Sequence, residues 1–345
     1  MSANAKTDVA PVMAMRDLTK HFLTGNALKR YTVKAVEGAT FNLYPGHVTA
    51  LVGESGSGKS TIARMLVRLY EPTSGEILYE GRNVIADKSR KALLHYRSEV
   101  QMIFQDPFSS LNPVKRVHDI LERPLSVHGK ATRGNVRQKV YELLDRVALT
   151  PVEEFADKFP HQLSGGQRQR VAIARALAVE PKVILADEPV SMLDVSIRLG
   201  ILNLMANLRD EQGISFLYVT HDIASARYFA DDTLVMYAGR IVEGGGSENL
   251  IRDAKHPYTQ LLLSAVPDPA RGLKTGVAAD KGEVPDLATI GVGCPFAQRC
   301  PHVMDVCRQA MPPRYELEPG RWTRCYLYDG APVVDPAELP QVAVR

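Results

Sequence analysis

The stretch Gly53-Glu54-Ser55-Gly56-Ser57-Gly58-Lys59-Ser60 constrains this chain more than any other feature, because it fits G-x-x-x-x-G-K-[ST] throughout. It follows a short apolar run, Val48 to Val52, and precedes a helical pattern through Ile62, Met65, Leu66 and Leu69. A strand, a glycine loop and a helix in that order turn successive amides toward one anion and add the helix dipole to them. Lys59 is placed to reach the outer phosphates of a nucleotide, and the Ser60 hydroxyl to hold Mg²⁺.

A second apolar run, Val183 to Ala186, ends in Asp187-Glu188. Buried carboxylates are costly unless paired or metal-bound, so Asp187 is expected in a Mg²⁺ shell and Glu188 on the attacking water. A third element, Leu163-Ser164-Gly165-Gly166-Gln167, leads into a strong helix over 168–178. By itself this reads as a serine N-cap followed by glycines. Beside a phosphate loop it also reads as a second set of amides at a helix dipole.

Strands at 183–186, 216–219 and 234–237 alternate with helical segments, which predicts a mostly parallel sheet with ligand at the carboxyl ends of its strands. Residues 12–52 read as short strands, and 117–128 and 136–149 as amphipathic helices inserted between the core motifs. Leu234–Tyr237 and Ile241–Glu243 read as a hairpin on the sheet edge, and Gly244-Gly245-Gly246 as a turn before a helix near 248–251. The expected architecture is an α/β RecA-like P-loop core with an edge antiparallel sheet, an inserted helical subdomain at about 106–178 and a cysteine-containing C-terminal extension. The expected divisions are an ATPase domain over 12–254, an extension over 255–330 with a loop-rich part at 267–293, and a tail over 331–345.

The 345 residues are 45% hydrophobic and 23% charged, an ordinary globular composition. A formal net charge of +3 does not argue for a nucleic-acid partner, and none is expected. The N-terminus has no signal-peptide pattern, and no run of 18 apolar residues predicts a membrane span, so a cytoplasmic protein is expected.

Taken in order, the phosphate loop, Gln105 in Phe104-Gln105-Asp106, the LSGGQ segment at 163–167, Asp187-Glu188, Ser191-Met192-Leu193-Asp194 and His221 resemble the ATP-binding subunits of ABC transporters over roughly residues 12–250. The resemblance implies ATP bound by Gly53 to Thr61, with Glu54, Ser55, Gly56, Ser57 and Gly58 in the loop. It further implies Mg²⁺ held by Ser60, Gln105 and Asp187, with Glu188 and His221 as the catalytic pair. Ser164, Gly165, Gly166, Gln167 and Asp194 would complete the site of a second ATPase subunit, homologous or identical. Met192 stands where the family usually has alanine. Phe22 is the candidate to stack on adenine, with Tyr31 as its rival.

His256-Pro257-Tyr258, within 255–267, and Gln105 to Pro113 carry a narrower resemblance to the oligopeptide/dipeptide importer branch. That implies ATP-driven uptake, with two transmembrane permease subunits, an extracytoplasmic solute-binding protein and a peripheral place on the cytoplasmic face of the cell membrane. Oligosaccharide or nickel import is the alternative within the branch, and a soluble ABC ATPase the rival outside it.

Cys294, Cys300, Cys307 and Cys325 are the only cysteines, with spacing C-x5-C-x6-C-x17-C. In a cytoplasmic protein, clustered thiols suit a metal centre better than disulfides. Members of the same branch with a similar cysteine tail hold a 4Fe–4S cluster, so the resemblance puts that first, zinc second and plain buried cysteines third.

Overall fold

The computed structural model describes residues 9–25, 30–265, 287 and 290–335. The segment 267–293, expected to be loop-rich, lies mostly outside them, as does the tail beyond 335. The chain forms two compact units, one of residues 1–44, 48–83 and 220–345, the other of 45–47 and 84–219.

In the first unit, β1 (Met13–Gly25) pairs antiparallel with β2 (Arg30–Leu43) and with β4 (Ser74–Tyr79), and β4 with β5 (Arg82–Asn83). The expected short strands of 12–52 are thus two long ones followed by β3 (Val48–Val52). β3 pairs parallel with β9 (Asp232–Tyr237), which forms a hairpin with β10 (Arg240–Gly246). All five residues of β3 are buried, as an apolar run covered on both faces requires.

Two expectations need correction in this unit. The β9–β10 hairpin is not an edge, because β12 (Arg321–Thr323) pairs with β10 and β11 (Tyr315–Glu318) pairs with β12. Gly244 to Gly246 are not a turn but the end of β10, and the helix Ser247–Arg252 starts directly after them. Gly244 is required there because a Cβ would come within 2.8 Å of the Trp322 ring. Gly244 makes room for the indole, which is almost wholly buried, while Gly245 lies against Arg321.

In the second unit, β6 (Val100–Ile103), β7 (Val183–Asp187) and β8 (Ser215–Thr220) run parallel, with β7 in the middle. The expected helices form at Val117–Val127 and Val136–Arg146, and the one after the LSGGQ segment at Gly165–Leu177. Val117, Ile120, Leu121 and Leu125 are buried on the first, and Val140, Leu143 and Leu144 on the second. That spacing gives each helix one apolar stripe. No helix among the described residues is long and apolar enough to cross a membrane.

Candidate nucleotide site and cysteine pocket

The phosphate loop leaves β3 at Gly53, where a Cβ would lie 2.1 Å from the Met236 carbonyl oxygen. Gly58 has φ +105 and would set a Cβ 2.2 Å from the Ala35 carbonyl oxygen, so only glycine fits. Between them the loop is tied by Ser57 N donating to the Glu54 carbonyl at 3.2 Å and Gly239 N to the Ser57 carbonyl at 2.9 Å. Ser55 and Gly56 form its exposed rim.

Lys59 opens the helix Lys59–Leu66 and is buried. Its Nζ donates to the carbonyls of Gly53 at 2.8 Å and Glu54 at 2.7 Å, and to Ser57 Oγ at 3.3 Å. The ammonium therefore lies inside the arc of the loop. The first turn holds no acidic residue, so the positive end of the dipole is left uncompensated by the helix's own side chains. Ser60 and Thr61 follow on that turn, half-buried.

Glu54 is held from the C-terminal extension. Its amide donates to the Tyr258 hydroxyl at 2.8 Å, and Arg299 grips both carboxylate oxygens at 3.0 and 3.2 Å. Arg299 also donates to the Tyr237 hydroxyl at 3.2 Å. The His-Pro-Tyr motif builds this contact. Buried His256 caps the helix Pro257–Ser264 by accepting from Tyr258 N at 3.1 Å, with Pro257 at the first helical position. Nothing in the sequence singles out Arg299. Tyr258 stands in a noticed motif, but its partner is more than 200 residues away in the chain.

His221 follows β8 and is exposed. Thr220 Oγ1 accepts from Asp222 N at 3.0 Å and Asp222 caps the helix Ile223–Phe229, which fixes the turn bearing the histidine. Phe22 meets Tyr70 edge-on at 5.5 Å, with Lys20 Nζ 5.0 Å from its ring centre. Its rival Tyr31, on β2, is 46% exposed.

In the second unit, Asp187 ends β7 almost fully buried. Glu188 has φ +47, an unfavourable conformation for a residue with a Cβ. It is held there by its amide donating to the Val219 carbonyl at 2.8 Å and by Ser191 N and Oγ donating to its own carbonyl. The Gln105 side-chain amide donates to the Glu188 carboxylate at 2.9 Å. This glutamine, expected near Mg²⁺, thus also aims the carboxylate.

Ser164 and Gln167 form a reciprocal capping box at the helix Gly165–Leu177. A Cβ at Gly166 would lie 2.6 Å from Ile197 Cγ2, so that glycine lets the helices pack. Gly165 lies against Leu193, whose neighbour Asp194 starts the helix Val195–Gln212 without a side-chain cap. Met192 and Val195, on either side of that pair, are 59% and 73% exposed.

Cys294, Cys300, Cys307 and Cys325 are free thiols that line one pocket with His256 and Phe296. Burial pushes the Cys294 thiol up to about 12 and Cys325 to about 11. Against that, Cys294, Cys300 and Cys325 each face a backbone amide two residues on, at Phe296, His302 and Leu327. Such donors favour a thiolate. A single tetrahedral zinc, with Zn–S of about 2.3 Å, would hold its sulfurs about 3.8 Å apart. No three of these sulfurs lie within 4.8 Å of one another, since among the described residues only His118, Asp119 and Glu122 group so closely. The four cysteines share one pocket but, as placed, do not form a single-ion site.

Residues 36–191 match the family described as ABC transporter, and residues 242–307 the one described as oligopeptide/dipeptide transporter, C-terminal region. The oligopeptide transport ATP-binding protein AppF of Bacillus subtilis is 42% identical over 95% of this chain and 99% of its own length. The dipeptide transport ATP-binding protein DppF of Haemophilus influenzae is 40% identical over 94% of this chain and 99% of its own. Among solved structures, cbiO1 of Clostridium perfringens, part of an ABC transporter complex, is 30% identical with a TM-score of 0.60, covering 70% of this chain and 91% of its own. The ATP-binding cassette MJ0796, solved as a dimer after hydrolysis with ADP and Pi, is 31% identical with a TM-score of 0.61, covering 68% and 98%.

Proposed function

The chain belongs to the ATP-binding subunits of ABC transporters, in their oligopeptide/dipeptide branch, and from that membership we propose that it hydrolyses ATP to energise import of peptides. The observation that carries the chemistry is Glu188, held at φ +47 beside buried Asp187 with its carboxylate aimed by Gln105. A strained carboxylate fixed by its neighbours suits the orientation of a water for attack in line with a phosphoanhydride bond.

In this reading the loop from Gly53 to Thr61, through amides other than that of Glu54, and the Lys59 ammonium bind the phosphates, and Phe22 stacks on adenine. Ser60, Asp187 and Gln105 are the residues that would hold Mg²⁺, which supplies neutralisation of the phosphate charge. Glu188 takes up the proton of the attacking water, and His221 steadies that water and the departing phosphate. Ser164 to Gln167 and Asp194 act on the nucleotide of a second ATPase subunit. The exposed Met192 and Val195 supply apolar surface for that pairing. Two permease subunits and an external solute-binding protein complete the transporter, with this chain on the cytoplasmic face of the membrane. Residues 255–330 act as one extension of an ATPase domain over 12–254.

We propose a 4Fe–4S cluster for the four cysteines, because all four line one pocket and the resemblance to the oligopeptide/dipeptide branch puts that group ahead of zinc. Its contribution is order, since ligation ties together parts of the extension that are far apart in sequence. Anaerobically purified protein should contain iron and sulfide in equal amounts, and stoichiometric zinc instead would replace this assignment.

The function is tested by assembling the chain with its permeases and binding protein in vesicles. Peptides should be taken up with ATP consumed. Uptake of oligosaccharide or nickel but not peptide would move the cargo to the alternative, and ATP turnover indifferent to the permeases would overturn the transport role.

A further inference from the structure

The C-terminal extension does more than lie beside the ATPase core: it makes two independent contacts on one residue of the phosphate loop. Tyr258, fully buried, receives the Glu54 amide, and Arg299, 7% exposed at its side chain, forms a two-pronged ion pair with the Glu54 carboxylate. The Glu54 amide is therefore taken up by Tyr258, and the loop's entry is fixed from outside the core. A fork on both carboxylate oxygens sets direction as well as distance, which a single lysine contact cannot do.

The same residues reach the cysteine pocket. Arg299 directly precedes Cys300, and its backbone amide donates to the Phe296 carbonyl at 3.0 Å. Phe296 lines the pocket with the four cysteines and packs against Tyr258 at 5.5 Å and Tyr237 at 5.3 Å between ring centres. Tyr237 and Tyr258 are themselves 4.4 Å apart. An unbroken line of buried rings and one salt bridge thus runs from the thiols to the loop.

We propose that Tyr258 and Arg299 are positioning residues for nucleotide binding, which hold the phosphate loop in its binding shape and make ATP affinity depend on the order of the cysteine-bearing extension. The inference rests on the nucleotide reading of the loop given above. If the extension loosens, the loop occupies its binding shape a smaller fraction of the time, and affinity falls by that fraction. By reciprocity, bound nucleotide must steady the extension to the same degree.

The test measures ATP affinity by calorimetry, with Mg²⁺ present, on full-length wild type, Tyr258→Phe, Arg299→Ala, Arg299→Lys, Glu54→Gln and the Glu54→Gln/Arg299→Ala double variant. Tyr258→Phe removes only a hydroxyl and leaves the packing, so it keeps the test sound should Arg299→Ala loosen the fold. Each single variant should weaken ATP about five- to tenfold, Arg299→Lys less, and the double variant no more than Arg299→Ala alone. In the assembled transporter the KM for ATP should rise while kcat moves little. Hydrogen exchange supplies a readout independent of turnover: ATP should slow exchange of amides 294–309 in wild type but not in Arg299→Ala. Wild-type affinity in Tyr258→Phe and Glu54→Gln, or exchange in the extension that ignores ATP, overturns the inference and leaves the functional reading standing. Wild-type protein that binds no ATP would instead sink the functional reading.

Discussion

Glu188 and Lys59 illustrate how one residue can be held for chemistry at a local cost. The positive φ of Glu188 is unfavourable for any side chain with a Cβ, and it survives because the Val219 carbonyl and Ser191 fix the backbone on both sides. Glu188→Gln keeps shape and hydrogen bonding but cannot accept a proton. ATP binding should persist while hydrolysis falls by about two to four orders of magnitude; near-wild-type turnover in the assembled transporter would exclude Glu188 as the base. Lys59→Ala should fail earlier. Its ammonium sits among three loop acceptors at 2.7 to 3.3 Å, so its loss removes both the charge facing the phosphates and a tie across the loop. A charge-assisted contact of about 1.5–3 kcal/mol predicts a roughly 10- to 100-fold loss of affinity by calorimetry. Unchanged affinity would mean that the loop does not bind the nucleotide through this residue.

At the scale of elements, the helix Pro257–Ser264 depends on a neutral histidine. His256 is buried, and burial lowers it from 6.5 to about 3, so the folded protein keeps it uncharged as the acceptor for Tyr258 N. Its own amide and that of Lys255 donate to Glu243 at 3.0 and 2.8 Å, locking the cap onto β10. Because the folded value lies below the unfolded one, this stability is present above 6.5 and is lost as pH falls toward 3. Thermal melting should therefore weaken between neutral pH and about pH 4, and His256→Asn, a neutral N-cap, should flatten that dependence. Parallel pH curves for the two proteins would assign the acid sensitivity elsewhere.

For the whole molecule, the LSGGQ segment poses the question of what one chain can do alone. Ser164 is exposed, and its hydroxyl and amide already form the capping box of their own helix, so the segment is complete as structure without any ligand. Its proposed action on a partner's nucleotide predicts that the isolated subunit is largely monomeric and a weak ATPase. Specific activity should rise with protein concentration and with assembly onto the permeases. Robust hydrolysis that is independent of concentration would contradict a site shared between two chains.

The parts of this protein legible in its sequence are those whose cause is local. Strand, glycine loop and lysine were evident at 48–60 because φ-permissive residues and a buried run must be adjacent to cradle phosphate. The apolar stripes of 117–127 and 136–146 showed in their spacing for the same reason. The tertiary structure decided what distance in the chain conceals. β12 pairs with β10 and turns an expected edge into an interior strand, which required Gly244 to admit Trp322. Four cysteines noticed as a cluster in sequence prove to share a pocket with no three sulfurs at single-ion spacing. Arg299 looked like any charged residue between two cysteines until folding set it on Glu54, 245 positions away. No periodicity or composition can carry such a pairing, because what selects it is the shape of the buried space in which both ends meet.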